Sequence, residues 1–202
     1  MKFLKIKFAV IAIVMFAASS AFASLGYDVS VDTSSLNGQD GYLYLQYTGL
    51  NTVNSTATVA NFSGGVLAAA SSTNVVDGSA VNGTLPGSVV FANTNATNDY
   101  NHSIHFGSKI DFSVLFASDN FGAPAGGSST FSLGLFSNEG GTVSLLGSTG
   151  TAFTFDLNND GTTTFNALET QASATPTPIP AAAYLLGSGL MGLLGLRRRK
   201  QD

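Results

Sequence analysis

The chain has 202 residues, with eight Lys plus Arg against twelve Asp plus Glu, a formal net charge of −4, and neither Cys nor Trp. The missing cysteines exclude a thiol nucleophile and a disulfide framework within this chain, and a charged fraction of only 10% excludes a charge-driven disordered chain. Gly, Ser, Thr, Asn and Ala dominate what remains, which indicates a light, turn-rich β protein.

The N-terminus opens with a positive stretch, Lys2, Lys5 and Lys7, followed by an apolar run from Phe8 to Ala18. Ala21-Phe22-Ala23 is a small-x-small cleavage site, so residues 1–23 read as a signal peptide with Ser24 as the mature start. A retained anchor is the alternative, but the apolar run is short for a span. The partners this segment implies are signal peptidase and a Sec-type export machinery.

From Ser24 onward the pattern is period-two. Leu25–Val31 places Tyr27, Val29 and Val31 on one face, and Tyr42–Tyr47 is aromatic and β-prone. Thr56–Phe62 precedes a break at Gly64-Gly65, then Val66–Ala70 and, after Pro86-Gly87, Ser88–Ala92. Ile110–Phe116, Thr130–Phe136 and Thr151–Leu157 alternate, with shorter runs at Thr142–Leu146 and Thr162–Phe165. Period-two runs separated by Gly, Asn and Pro clusters predict antiparallel sheets. With no convincing amphipathic helix, the expected fold class is all-β: a two-sheet β-sandwich of jelly-roll type over residues 24–168, its phenylalanines forming the core between the sheets.

Candidate chemistry in this region is sparse. Asp156, Asn158 and Asp160, followed by Gly161, match the first three ligand positions of a calcium loop. The match fails at its twelfth position, Ala167, and the same residues suit a hairpin turn, in which Asn-Asp-Gly supplies positive φ angles. Calcium is therefore the one cofactor the sequence leaves open. His102 and His105 lie in a strand or loop, where their rings point to opposite faces, and no third ligand is evident for zinc. Tyr42 and Tyr44 share a face and form a candidate sugar-stacking platform, while Tyr47 falls on the other side. There is no Gly-x-Ser-x-Gly elbow, Glu139 and Glu169 have no reason to pair as acid and base, and Gly122–Gly127 lacks the Lys and helix that would cradle a phosphate.

Residues 169–177 read as a polar linker. Beyond them come Pro178-Ile179-Pro180, an uncharged apolar segment over 181–196, and the basic block Arg197, Arg198, Arg199 and Lys200. At about 1.5 Å per residue the apolar segment spans roughly 24 Å, at the short end for a membrane helix. Its glycines offer packing surfaces, and the basic block sets the C-terminus on the cytoplasmic side. An ordinary tail anchor is one reading of this segment. Residues 178–202 also closely resemble the PEP-CTERM sorting signal of exosortase substrates, with Ile179 standing where the family's name has Glu. Gly41–Tyr47, Asn61–Gly65 and Phe155-Asp156-Leu157 look like a recurrent domain of uncharacterised PEP-CTERM proteins, which implies a β-sandwich and no known activity.

The resemblance implies a Gram-negative-type host, processing near Pro180 by an exosortase, transient membrane attachment through the C-terminal helix, and delivery to the cell envelope, surface or extracellular polysaccharide matrix. With signal and tail set aside, Lys109 is the only cation against eleven acids, a net charge of 1 − 11 = −10. That balance argues against nucleic acid, which needs clustered cations. The expected function is a non-enzymatic surface or matrix protein with a structural or adhesive role in exopolysaccharide or biofilm. A calcium-assisted carbohydrate-binding module is the first alternative and a secreted hydrolase the second.

Overall fold

The computed structural model describes residues 24–49, 55–70, 75–77, 80–118, 129–158 and 162–177. The N-terminal signal helix expected within residues 1–23 and the C-terminal transmembrane helix expected over 181–196 lie outside that set. Within it the order is β1 (Ser24–Asp32), a 3-10 turn (Ser34–Leu36), β2 (Asp40–Gly49), β3 (Ser55–Ser63), β4 (Val66–Leu67), β5 (Val75–Asp77) and β6 (Val81–Gly83). Then follow β7 (Val89–Ala92), β8 (Thr97–His105), β9 (Lys109–Ser118), β10 (Ser129–Phe136), β11 (Thr151–Leu157), β12 (Thr163–Ala167) and β13 (Ala172–Pro176).

Two antiparallel sheets face one another as a β-sandwich. The first runs β13-β1-β9-β3-β7-β6 and the second β12-β11-β10-β2-β8-β4, with β5 also on β8. Alternation decides which side chains meet in the middle. On β9, Ile110, Phe112, Val114 and Phe116 are buried, and on β10 Phe131, Leu133 and Leu135 are. Aromatic rings join the sheets: Phe116 lies edge-on to Phe131 at 5.9 Å and to Phe155 at 5.4 Å, and Tyr27 sits 4.7 Å from Phe155. Each fully buried Phe contributes about 1.5–3 kcal/mol of transfer free energy, so this cluster dominates the cohesion between layers.

Several segments depart from the sequence expectation. β8 is a nine-residue strand that the local pattern does not announce, because its inward residues Asn98, Tyr100, His102 and Ile104 are mostly polar. β2 supplies the ladder that fixes it, from Asp40↔His105 to Thr48↔Thr97. Inside, the Asn98 amide nitrogen donates to the Tyr47 carbonyl at 3.0 Å and the Asn95 carbonyl at 3.2 Å.

The predicted linker over 169–177 is corrected as well. Ala172–Pro176 forms β13 along the free edge of β1, from Tyr27↔Pro176 to Val31↔Ala172, with Ala172 buried. A proline is tolerated there because an edge strand has one unpaired side.

Val66–Ala70 narrows to the two-residue β4, and Thr142–Leu146 is an arm joined to β10 by one bridge, Phe136↔Ser144. The Asn138 carboxamide captures the N–H groups of Thr142 and Val143 at 3.1 and 2.9 Å, giving that backbone a side-chain partner in place of a ladder. The Gly64-Gly65 break carries the chain from the first sheet to the second at φ +93° and +84°. A Cβ on Gly64 would stand 2.0 Å from the Lys109 carbonyl oxygen, so only glycine lets the turn close.

Candidate functional site

The core faces are filled with side chains, so function falls to the outer faces. On the first sheet, β13 presents Ser173, β1 Ser30, and β9 Asp111 and Ser113 around a shallow cleft. Asn61 enters from a bulge in β3, where the register slips between Ala60 and Ser63, and it adopts φ +56°. Its amide donates to the Ser113 hydroxyl at 2.9 Å. Lys109, the one cation between Ser24 and Thr177, lies 2.7 Å from the Asp111 carboxylate. Burial works to raise the Asp111 carboxyl, but hydrogen bonds from Lys109 and Ser30 and the Lys109 charge together hold it below its ordinary value. The positive charge on this face is therefore already engaged.

The outer face of the second sheet is organised in rows, because directly opposed residues in antiparallel strands share a face. One row crosses five strands as Asn166, Thr154, Ser132, Gln46 and Asp99. The next crosses four as Thr151, Gly134, Tyr44 and Asn101. Side chains tie neighbouring strands together across this face: Gln46 donates to Asp99 at 2.6 Å, Thr130 to one Asp156 oxygen at 2.8 Å, and Asn166 to the other at 2.7 Å.

A cleft of about 230 Å³ opens over Tyr44, Gln46 and Ser132, bounded by Phe136 and by Gly140-Gly141 of the loop after β10. Tyr44 and Phe136 are both half-buried and meet edge to face at 5.8 Å. The Asn101 amide donates to the Glu139 carbonyl and pins that loop against the sheet. Burial raises the Tyr44 hydroxyl above its usual value, and the negative charges of Asp99 and Glu139 add to the shift. Both carboxylates therefore bear on this cleft.

The two histidines separate as strand alternation requires. His105 is exposed, with Nδ1 at 2.8 Å from the Asp40 carboxylate. His102 is fully buried. Its Nε2 donates to the Ala68 carbonyl at 2.9 Å, and in the uncharged ring Nδ1 is left to accept from the Tyr100 hydroxyl at 2.8 Å. The same hydroxyl accepts the Leu85 N–H at 2.9 Å and pairs with Thr84 at 3.0 Å. His102 Nε2 thus ties β8 to the segment at Ala68, and Nδ1 steadies the Tyr100 hydroxyl that ties β8 to Thr84 and Leu85.

Of the calcium-loop residues, Asp156 points onto the sheet, where both its oxygens accept hydrogen bonds. Asn158 donates to Thr162 and Thr164 at 3.0 and 3.1 Å, and its N–H closes a hairpin onto the Thr162 carbonyl at 2.8 Å. Asp160 lies outside the described residues. Among the described residues no group of three or more His, Asp or Glu is placed to hold a metal ion, and no helix is long and apolar enough to cross a membrane. The signal site Ala21 and Ala23, the sorting motif Pro178, Ile179 and Pro180, and the basic block Arg197–Lys200 also fall outside the described set.

Local sequence offers Asp99 only as an unsupported neighbour of the histidine pair and Asn101 only as a sequon match, and it gives no sign that they share a face with Ser132 and the loop over 137–141, because that grouping comes from strand pairing. Gln46 lay within a predicted strand, and its alternation with Tyr44 was the available signal. No family model, no curated protein and no solved structure matches the chain.

Proposed function

We infer that the chain is an exported protein, sorted by exosortase-type processing of residues 178–202 to the cell surface or extracellular matrix. Its β-sandwich works there as a structural or adhesive module rather than as an enzyme. The observation that carries the reading is the pair of address segments, a signal-like leader and a Pro-apolar-basic tail, flanking a cation-poor β domain.

The fold supports it in two ways. β13 lies against β1, and the Thr177 N–H donates to the Gly26 carbonyl at 2.8 Å. The chain therefore enters and leaves the sandwich on adjacent strands of one sheet edge, about 4.8 Å apart. Ser24 and Thr177, the first and last described residues, thus lie at the same end of the domain, a layout that suits attachment of both flanking segments to one membrane before processing. The carboxylates, for their part, are distributed over both outer faces: Asp28 and Asp111 on one, Asp99 and Asp156 on the other, Asp40 beside His105. Asp111, Asp99 and Asp156 are each engaged by a neighbour, Lys109, Gln46, and Thr130 with Asn166, an arrangement that suits binding or scaffolding.

Deleting Pro178–Lys200 tests the sorting reading. The truncated protein is expected to keep its thermal unfolding transition but to vanish from the surface of cells, followed by protease accessibility. Unchanged display of the truncated protein would overturn the reading.

A further inference from the structure

We propose that the cleft over Tyr44 is a binding subsite for one neutral sugar unit of a polysaccharide whose chain lies across the outer face of the second sheet. The proposal rests on the adhesive reading above and gives that role a ligand and a surface.

Three observations converge on it. The first is shape. At about 230 Å³ the cleft is smaller than the roughly 300–1,000 Å³ of a pocket that encloses a small molecule. It suits a single ring of a longer polymer. The row from Asn166 to Asp99 crosses five strands, roughly 19 Å at about 4.8 Å per strand, which gives such a polymer a track.

The second is chemistry. Tyr44 and Phe136 supply aromatic surface for the apolar C–H face of a sugar ring. Gln46, Asp99, Ser132 and Thr151 surround them with the amide, carboxylate and hydroxyl groups that recognise sugar hydroxyls. Glycines make this arrangement possible. A Cβ on Gly134 would stand 2.5 Å from the Phe136 ring, and one on Gly141, at φ +62°, would stand 3.1 Å from the Tyr44 ring. Beside the cleft, Asn101 is buried and its Oδ1 has no protein partner among the described residues.

The third is charge. Asp99 and Glu139 bear on the Tyr44 hydroxyl. The only cation between Ser24 and Thr177, Lys109, belongs to the other sheet and is paired with Asp111. An anionic polymer would meet two carboxylates and no counter-charge, so the ligand is a neutral glycan.

The test uses the full chain in detergent and affinity electrophoresis through gels containing linear β-glucan, α-mannan or galactan, with polygalacturonate as the acidic comparison. Wild type is expected to be retarded by at least one neutral polysaccharide and not by polygalacturonate. Tyr44→Ala should weaken that retardation about tenfold or more, and Tyr44→Phe should stay within about threefold of wild type. Ser132→Gln, which fills the cleft floor from the outer face without touching the core, should weaken it as Tyr44→Ala does. It carries the test if Tyr44→Ala fails to fold. No retardation by any neutral polysaccharide, equal retardation by polygalacturonate, or cleft variants that behave as wild type would each overturn the proposal. Surface display measured in parallel separates the two readings. Tail-dependent display without glycan retention removes the subsite alone, and glycan retention with tail-independent display removes the sorting reading alone.

Discussion

Tyr44 and Tyr47 stand three residues apart on one strand and occupy opposite surroundings. Tyr47 points inward, is fully buried, and shares a 2.6 Å hydrogen bond with Ser55. Burial pushes its hydroxyl above the ordinary value of 10.0, with hydrogen bonds involving Ser55 and Ser129 pulling the other way. Below pH 10 the folded and unfolded chains both keep this proton, and the stabilisation is fully present. Above it the unfolded chain releases the proton first, so stability falls as pH rises toward the folded-state value. Tyr47→Phe should therefore lose about 1 kcal/mol at neutral pH and show a shallower decline in urea stability above pH 10. A decline as steep as that of wild type would remove Tyr47 as its source. Tyr44, turned the other way, keeps its ring available at the cleft. The parity that separates these two tyrosines is legible from sequence, since only alternation is needed. That Tyr44 would meet Asp99, Phe136 and Gly141 is not, because those partners lie 55, 92 and 97 positions away.

Strand existence divides along a similar line. β9, β10 and β11 carry their own signal, because alternating Phe, Leu and Val specify a pleated, half-buried segment whatever its neighbours are. β8 and β13 do not. β8 buries polar side chains such as Asn98, Asn101 and His102 alongside Tyr100 and Ile104, and β13 is a run of Ala, Ser, Thr and Pro with little intrinsic preference for any state. Both become strands because a neighbour offers an unpaired edge, β2 to the one and β1 to the other. The contrast between Ala172 and Ser173 tests this for β13. Ala172 faces the core and Ser173 faces solvent opposite Ser30. Ala172→Asp should cost about 3 kcal/mol, from a carboxylate forced against the core, whereas Ser173→Lys should stay within about 0.5 kcal/mol. Equal effects in urea melts would mean that the segment behaves as a linker after all.

At the scale of the whole molecule, a single hydrophobic cluster joins the sheets, from Val29 and Phe112 on one side to Phe131 and Phe155 on the other. One shared core predicts one cooperative transition. Phe131→Ala, at the centre of the aromatic contacts with Phe91 and Phe116, should destabilise by about 3–5 kcal/mol and shift far-UV and near-UV unfolding curves together. Separate midpoints for the two signals would show that the sheets are held independently. The sequence by itself determined the properties that are sums or local periods: the cation-poor balance, the β class and the inward faces of the strongest strands. These need no knowledge of which segments touch. Only the tertiary structure decided that β8 and β13 are strands, that Asp156 turns onto the sheet, and that Tyr44 lies under the loop pinned by Asn101. Each of these depends on hydrogen bonds or packing between residues far apart in the chain, and a polar segment becomes a strand only when a distant edge supplies the partners its backbone and side chains require.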